Sequence, residues 1–278
     1  MTGWLSYDAA VERPYRIMGI LNVTPDSFSD GGRYLDAEAA VAHGVALAAD
    51  GADILDVGGE STRPGAEPVP ADEQVRRVVP ALEGLAAAGV RAQLSIDTTR
   101  LAVARAAVDA GATYVNDVSA FRADPELAGL VAERGLDCCL SHMRGDPRTM
   151  QSEAVYDDVV SEVKAFLEER LAAAVAAGIA EERVMLDPGI GFAKRLEHNL
   201  ELLRRLDELV AIGRPLVIGT SRKSFLGRIT GRETDDRLAG TIATNVLALE
   251  RGAAVFRVHD VAPVADALAV AAATVRGR

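Results

Sequence analysis

The sequence predicts an α/β fold, a single (β/α)8 TIM barrel, and two observations carry this prediction. Short apolar runs of β type alternate with longer Ala- and Leu-rich helical segments along the whole chain, giving eight strand–helix pairs. Each apolar run is followed directly by polar or charged side chains. The length of 278 residues suits one such barrel, and no linker or low-complexity segment interrupts it. We therefore expect one barrel domain over residues 16–278, preceded by an N-terminal extension of residues 1–15.

The predicted strands are short runs that would be buried on both faces of a parallel sheet. They are Arg16–Thr24, Asp53–Gly59, Ala92–Thr98, Thr113–Ser119, Asp137–Met143, Arg183–Pro188, Pro215–Ser221 and Ala254–Asp260. The predicted helices between and after them are Ala37–Asp50, Ala71–Ala88, Arg100–Ala110, Pro125–Arg134, Asp157–Ala177, Glu197–Val210, Asp235–Arg251 and Pro263–Val275. Several helices end before a glycine, such as Gly51 and Gly111, which suits a helix C-cap.

Composition excludes some classes of partner. The chain carries 30 basic and 41 acidic side chains and a formal net charge of −11, whereas nucleic acids and anionic membranes require basic surface. We expect neither as a partner. No apolar run reaches the length of a membrane span, and the N-terminus lacks the order of charges and apolar residues typical of a signal peptide. The two cysteines, Cys138 and Cys139, are adjacent on a predicted strand and point to opposite faces, so we interpret them as reduced packing residues of a cytoplasmic protein.

The polar residues that follow the eight strands predict a functional site. The carboxyl ends of barrel strands converge on one mouth, where barrel enzymes place their chemistry. The residues concerned are Asn22, Thr24, Glu60, Thr62, Arg63, Asp97, Asn116, Asp117, Ser141, His142, Asp187, Ser221, Lys223, Arg257, His259 and Asp260. Such a mixed set on all eight strands is hard to explain by solubility alone.

One part of this set is acidic. Asp97, Asn116 and Asp187 end three strands, and two carboxylates and an amide could pair with a planar donor edge such as that of a 2-aminopyrimidinone. The alternative is that these residues cap the helices that follow, as Asp and Asn often do. The capping interpretation is strongest for Asp97, which precedes two threonines. It is weakest for Asp187, which precedes Pro188 and Gly189.

The other part is cationic and forms the opposite pole of the predicted site. Arg63, Lys223, Arg257 and His259 could together hold phosphate or pyrophosphate, and arginine offers a bidentate fork. Arg257 and His259 lie two residues apart on one strand and therefore share a face. Arg63 by itself could equally be an exposed loop charge.

Asn22 is the first-strand candidate for a metal ligand. Its amide oxygen could complete the shell of a Mg²⁺ ion held mainly by substrate phosphates and water. A turn-forming asparagine before Thr24 and Pro25 is an equally good interpretation. Two Gly- and Pro-rich loops, Thr24–Gly32 and Ser61–Pro70, have the composition of mobile lids, and Phe28 lies in the first of them.

Eight motifs, in this order, resemble the dihydropteroate synthase family of pterin-binding TIM barrels. The resemblance runs from Ile17 to about Val264. The motifs are Gly19–Gly32, Asp56–Gly65, Ser95–Thr98, Asn116–Ser119, His142–Gly145, Asp187–Phe192, Ser221–Phe225 and Arg257–Val261.

The resemblance implies a reaction and its partners. The family joins 6-hydroxymethyl-7,8-dihydropterin pyrophosphate to p-aminobenzoate and releases pyrophosphate with Mg²⁺, by a dissociative, SN1-like course. It also implies a homodimer and inhibition by sulfonamides, which mimic p-aminobenzoate. Two alternatives stay open: an inactive paralogue that binds pterin, and the related methyltetrahydrofolate methyl-transfer domain, which handles no pyrophosphate.

The resemblance also assigns residues by role. The implied pterin contacts are Asp97, Asn116, Asp187, Lys223, Met143 and Phe192. The implied pyrophosphate contacts are Thr62, Arg63, Arg257 and His259, and Asn22 is the implied magnesium contact. The implied p-aminobenzoate contacts are Ser221, Phe28, Pro64 and Thr62, with Ser221 on the carboxylate. Among all of these, the residues implied to carry the chemistry are Lys223, Arg63, Arg257, His259 and Asp97.

Overall fold

The computed structural model describes residues 13–24, 33–61, 66–145, 149–150 and 152–276. Within them, eight parallel strands form one sheet in the order β6-β5-β4-β3-β2-β1-β8-β7. The strands are β1 (Arg16–Asn22), β2 (Ile54–Gly58), β3 (Gln93–Asp97), β4 (Tyr114–Asp117), β5 (Asp137–Ser141), β6 (Val184–Asp187), β7 (Val217–Ile218) and β8 (Val255–Val258). A parallel bridge between Leu186 and Leu216 joins β6 to the segment that leads into β7, which brings the two edges of the sheet together. The predicted (β/α)8 barrel is confirmed.

Helices follow the strands on the outside of the barrel, and ten lie within the described residues. They are α1 (Arg33–Ala49), α2 (Ala71–Ala87), α3 (Leu101–Asp109), α4 (Glu126–Arg134), α5 (Val159–Ala176), α6 (Leu196–Arg204), α7 (Leu206–Val210), α8 (Ser224–Thr230), α9 (Leu238–Glu250) and α10 (Val261–Arg276). The prediction of one helix over Glu197–Val210 was wrong, because the helix is interrupted at Arg205, whose side chain binds Asp158 and Glu208. The short helix α8 lies between the predicted strand Pro215–Ser221 and the predicted helix Asp235–Arg251, where none of the predicted helices lies.

Successive residues of the strands alternate between two faces of the sheet, as the two cysteines of β5 show. Cys138 packs in the large cluster between sheet and helices, whereas Cys139 packs inside the barrel with Met18, Ile54 and Tyr114. Both thiols are free and buried, as the alternation of strand side chains predicted. The interior of the barrel is therefore a filled core below the mouth, and the site above it rests on a packed floor.

The predicted glycine caps are confirmed. Gly51 and Gly111 adopt φ values of 106° and 109°, which side chains with a Cβ rarely reach. The amide of Ala52 bonds to the carbonyl of Leu47 and that of Gly51 to Ala48, which is the Schellman pattern at the end of α1. These tight turns lead each helix directly into the next strand.

The described part of the extension packs against the closed end of the barrel. Tyr15 is buried and meets the ring of Phe256 edge to face, and Arg13 forms an ion pair with Asp53 at 2.5 Å. Among the described helices, none is both long enough and apolar enough to span a membrane.

Candidate active site

A buried carboxylate, Asp56 of β2, organises the floor of the mouth. Its Oδ1 accepts a hydrogen bond from Ser95 Oγ at 2.6 Å, and its Oδ2 accepts from Asn116 Nδ2 at 2.8 Å. Arg257 Nε donates to the same Oδ2 at 2.6 Å. Asp56 is fully buried, so it depends on these partners to offset the loss of water. These three hydrogen bonds link side chains of four strands, β2, β3, β4 and β8.

Asp97, at the end of β3, joins this group through the same arginine. Arg257 Nη2 donates to Asp97 Oδ2 at 2.7 Å. Burial raises the pKa of Asp97 to about 7; Arg257 opposes the shift and Asp56 adds to it. Burial also acts to lower the pKa of Arg257, but the two carboxylates outweigh it and the pKa is raised above its ordinary value. Arg257 therefore stays charged between two acids.

This pairing corrects one prediction. The sequence placed Arg257 and Asp97 at opposite poles, whereas they are hydrogen-bonded to each other. The reason is that the long side chain of Arg257, on β8, reaches past the neighbouring β1 to the carboxylates of Asp56 on β2 and Asp97 on β3. The cations and acids of the site are interleaved.

Asp97 does not cap the helix that follows. The amide of Leu101, at the start of α3, donates to Asp124 Oδ2 at 2.9 Å, and the amide of Arg100 donates to Thr98 Oγ1 at 3.2 Å. The backbone amides at the start of α3 therefore bind other side chains. The capping interpretation of Asp97 is therefore wrong, and its carboxylate binds Arg257 at the mouth instead.

A second carboxylate, Asp187, lies at the end of β6. It is 7% exposed, and its Oδ1 accepts from the amide of Gly189 at 2.7 Å in a tight turn. Burial raises its pKa, and the Gly189 bond and Lys223 oppose the shift. Lys223 Nζ lies 3.9 Å from the centre of the Phe192 ring, a cation–π contact. Asp187, Lys223 and Phe192 thus form one wall of the mouth.

Met143 and Phe192 belong to a small apolar cluster beside this wall. Met143 is buried together with Val118, Met150 and Ala193, and Phe192 packs against them. The carbonyl of Met143 accepts from Arg122, which fixes this segment. The two predicted ring contacts therefore lie on the same apolar surface.

Ser221 and His259 are bonded to each other. Ser221 Oγ lies 2.9 Å from His259 Nδ1, and the amide of His259 donates to Ser221 Oγ at 3.2 Å. Ser221 is buried, and the pair links the segments that follow β7 and β8. The serine hydroxyl therefore orients the histidine.

Asn22 ends β1 and is half-buried at the mouth. A Cβ placed on Gly58 of the next strand would lie 3.6 Å from Asn22 Oδ1, which locates the amide oxygen beside β2 and β3. Among the described residues, no cluster of three His, Cys, Asp or Glu side chains could hold a metal by itself. The amide oxygen of Asn22 is a hard ligand of the kind that Mg²⁺ accepts, but it could supply only one ligand.

Four of the predicted substrate contacts belong to the two Gly- and Pro-rich loops. Phe28, Thr62, Arg63 and Pro64 lie outside the described residues. On the described side of the second loop, Glu60 accepts hydrogen bonds from the amide of Val69 and the side chain of Gln74.

Sequence reasoning missed two residues of this region, Asp56 and Lys194. Asp56 was quoted in a motif without a role, although a carboxylate inside an apolar strand is itself a signal of a buried partner. The Nζ of Lys194 lies 2.9 Å from the Nδ1 of His142. Lys194 stands in a segment otherwise predicted to be a loop, and nothing local in the sequence indicates that its side chain turns inward.

A closed parallel barrel with paired ionisable groups at the carboxyl ends of its strands defines a barrel enzyme with its site at the mouth. Residues 18–259 match the model of the family described as "Pterin binding enzyme". The chain is 50% identical to the dihydropteroate synthase of Mycobacterium leprae, over 94% of this chain and 93% of that one. It belongs to the pterin-binding enzyme family and, within it, to the dihydropteroate synthases, which are transferases.

Solved structures agree with this membership. The dihydropteroate synthase of Xanthomonas albilineans with 4-aminobenzoic acid superposes with a TM-score of 0.88 at 50% identity, covering 94% of this chain and 93% of that one. The same enzyme in complex with 7,8-dihydropteroate gives a TM-score of 0.85 at 48% identity, with the same coverage.

Proposed function

We propose that this enzyme condenses 6-hydroxymethyl-7,8-dihydropterin pyrophosphate with p-aminobenzoate to give 7,8-dihydropteroate and pyrophosphate. The observation that carries the proposal is the set of side chains at the mouth, where buried carboxylates lie together with the cation–π pair of Lys223 and Phe192. This set occurs in a chain that is 50% identical to a known synthase over nearly its whole length. The relatives' complexes with 4-aminobenzoic acid and with 7,8-dihydropteroate support both substrates.

The acids and the apolar wall suit a pterin. A 2-aminopyrimidinone ring offers N–H donors along one edge, which Asp187, Asp97 and the amide of Asn116 can accept. Phe192 and Met143 provide an apolar face for the ring. We assign these residues, with Lys223, to the pterin site.

The cations suit the pyrophosphate. Arg257 uses its Nε–H and one Nη2–H for its carboxylate partners, which leaves the Nη1 hydrogens and the second Nη2 hydrogen for a bound phosphate. We assign Arg257 and His259, together with Arg63 and Thr62, to the leaving group. When the C–O bond breaks, its electron pair goes to the pyrophosphate, and fixed cations stabilise the charge that develops there.

The remaining steps follow from the same charges. Loss of pyrophosphate leaves positive charge on the pterin methylene carbon, which the neighbouring carboxylates tolerate. The aryl amine then attacks that carbon and loses one proton, so the new C–N bond replaces the C–O bond. This is the dissociative course that we propose.

We further propose that Mg²⁺ assists and that Asn22 contacts it. A hard amide oxygen at the mouth fits an ion whose other ligands are phosphate oxygens and water. When bound, the ion would neutralise charge on the pyrophosphate.

The p-aminobenzoate site is assigned to Ser221, with Phe28, Pro64 and Thr62. Because Ser221 is buried against His259, Ser224, which is exposed at the start of α8, is the other hydroxyl to test. We expect Ser221→Ala to raise the KM for p-aminobenzoate about 10-fold and to leave pterin affinity unchanged. Initial-rate kinetics of this variant and of Ser224→Ala measure both; an effect confined to Ser224→Ala would move the carboxylate contact there.

We also propose a cytoplasmic homodimer. Three neighbouring helices expose large apolar side chains, Ile229 of α8, Leu247 of α9 and Val270 of α10, at 56%, 47% and 69%. Exposed apolar surface of this kind is typical of a contact between subunits. Light scattering of the purified protein measures the oligomeric state.

The deciding experiment is a pyrophosphate-release assay with both substrates and Mg²⁺. We expect turnover that depends on both substrates and is inhibited by a sulfonamide in competition with p-aminobenzoate. Pterin binding without turnover would indicate an inactive paralogue instead. A methyl-transfer function would show neither pyrophosphate release nor sulfonamide inhibition.

A further inference from the structure

We propose that Lys194 is a positioning residue for the pterin site: its side chain holds the segment Gly189–Phe192 in the shape that presents Asp187 and Phe192 to the pterin. The proposal rests on the assignment of these two residues to the pterin under the proposed function.

Lys194 is buried in an unusual environment. It is 3% exposed, and its Nζ donates to the carbonyl of Phe192 at 3.0 Å and lies 2.9 Å from His142 Nδ1. Within the described part of the chain, it takes part in no ion pair with a carboxylate. A buried ammonium without a paired carboxylate costs stability, and such a cost is typical of a group kept for function.

The segment that Lys194 holds is strained. Ala193 has a φ of 49°, in the left-handed region that residues with a Cβ avoid. Gly189 packs so tightly that a Cβ there would lie 1.9 Å from the carbonyl oxygen of His142 and 3.4 Å from Lys194 Nζ. Strained backbone persists only where its surroundings fix it, and Tyr156 adds a bond from its hydroxyl to the carbonyl of Ala193 at 3.0 Å.

This segment leads to both pterin contacts. The amide of Gly189 donates to Asp187 Oδ1, and the amide of Phe192 donates to the carbonyl of Gly189 at 3.0 Å. Lys194 binds the carbonyl of Phe192, whose ring lies under Lys223. Loss of the ammonium would therefore release the Phe192 ring and the turn that orients Asp187.

The charges around Lys194 define its response to pH. Burial lowers its pKa to about 7; Asp187 opposes the shift, and Lys223 and Arg144 add to it. Burial also lowers the pKa of His142 to about 2, so the imidazole is neutral and its Nδ1 accepts from the ammonium. Between pH 7 and 10.5 the folded state binds fewer protons at Lys194 than the unfolded state, so its contribution to stability rises with pH and is least favourable below 7.

The test compares Lys194→Met with Lys194→Gln, whose amide still donates to the Phe192 carbonyl. Lys164→Met, at a partly exposed lysine of α5, is the matched control. We expect Lys194→Met to raise the KM for the dihydropterin pyrophosphate about 10-fold, with the KM for p-aminobenzoate within about 2-fold of wild type. Lys194→Gln should show a smaller rise, and the control none.

Stability gives a second readout that a purely structural lysine would not produce. In urea denaturation, the midpoint of Lys194→Met should be no lower than that of wild type, with a larger gain at about pH 6 than at about pH 9. A lower midpoint at both pH values would mean that Lys194 serves the fold, and this would overturn the proposal. Equal rises in both KM values, or unchanged kinetics in both variants, would overturn it as well.

Binding of 6-hydroxymethylpterin, measured by calorimetry, separates this inference from the proposed function. If wild type binds the pterin and Lys194→Gln and Lys194→Met bind it equally well, the inference fails alone. If wild type neither binds the pterin nor releases pyrophosphate, the proposed function fails first.

Discussion

Two buried carboxylates at the same mouth, Asp97 and Asp187, are held in opposite ways. Asp97 ends β3 and is bonded to the guanidinium of Arg257, inside a side-chain group centred on Asp56. Asp187 ends β6 and accepts a hydrogen bond from the backbone amide of Gly189, two residues further along the chain. The strained segment that contains this turn is held by the bond from Lys194 to the carbonyl of Phe192. One acid is positioned by a charge pair across the barrel and the other by its own loop. The difference predicts that damage to the side-chain group that holds Asp97 should cost stability, whereas damage to Asp187 should cost binding.

The largest expected effect on stability is at Asp56. Asp56→Ala leaves Arg257 with one carboxylate partner and removes the acceptor of Ser95 and Asn116. We expect the free energy of unfolding to fall by about 3–5 kcal/mol, as for other buried pairs that lose one partner. Urea denaturation measures it. Asp56→Asn, which keeps an acceptor oxygen but not the charge, should lose less; equal losses would mean that the charge on Asp56 accounts for the whole effect and the remaining oxygen for none of it.

Asp187→Ala should affect binding instead. We expect pterin affinity, measured by calorimetry, to fall at least about 100-fold, because a buried acceptor for the ring would be missing. Since burial already raises the pKa of Asp187, its ionised form costs stability, and the free energy of unfolding should change little. Asp109→Ala, at an exposed residue on the outside of the barrel, is the control. Unchanged affinity would remove Asp187 from the site.

The same contrast explains what the sequence could predict. The eight strands, and the alternation that sends Cys138 and Cys139 to different cores, depend on local patterns and were predicted. Asp187 was predicted because its turn is encoded next to it by Pro188 and Gly189. The bond between Asp56 and Arg257 joins residues 201 positions apart, and only the closure of the barrel brings them together. The inward direction of the Lys194 side chain likewise depends on its contact with His142, the residue after β5, which no local pattern encodes.

The smallest effect, and the sharpest test of the charge pair, is the pH dependence at Asp97. Its pKa in the folded protein is about 7, against 3.8 for the ordinary side chain. Between these values the folded state binds more protons than the unfolded state, so the contribution of Asp97 to stability falls as pH rises from about 4 to 7. Asp97→Asn removes this titration but keeps an oxygen for Arg257. The unfolding free energy of the variant minus that of wild type should therefore increase from about pH 5 to about pH 8, by on the order of 1 kcal/mol. A constant difference would mean that Arg257 holds Asp97 ionised throughout, so that attraction by the guanidinium outweighs the cost of burial at this carboxylate.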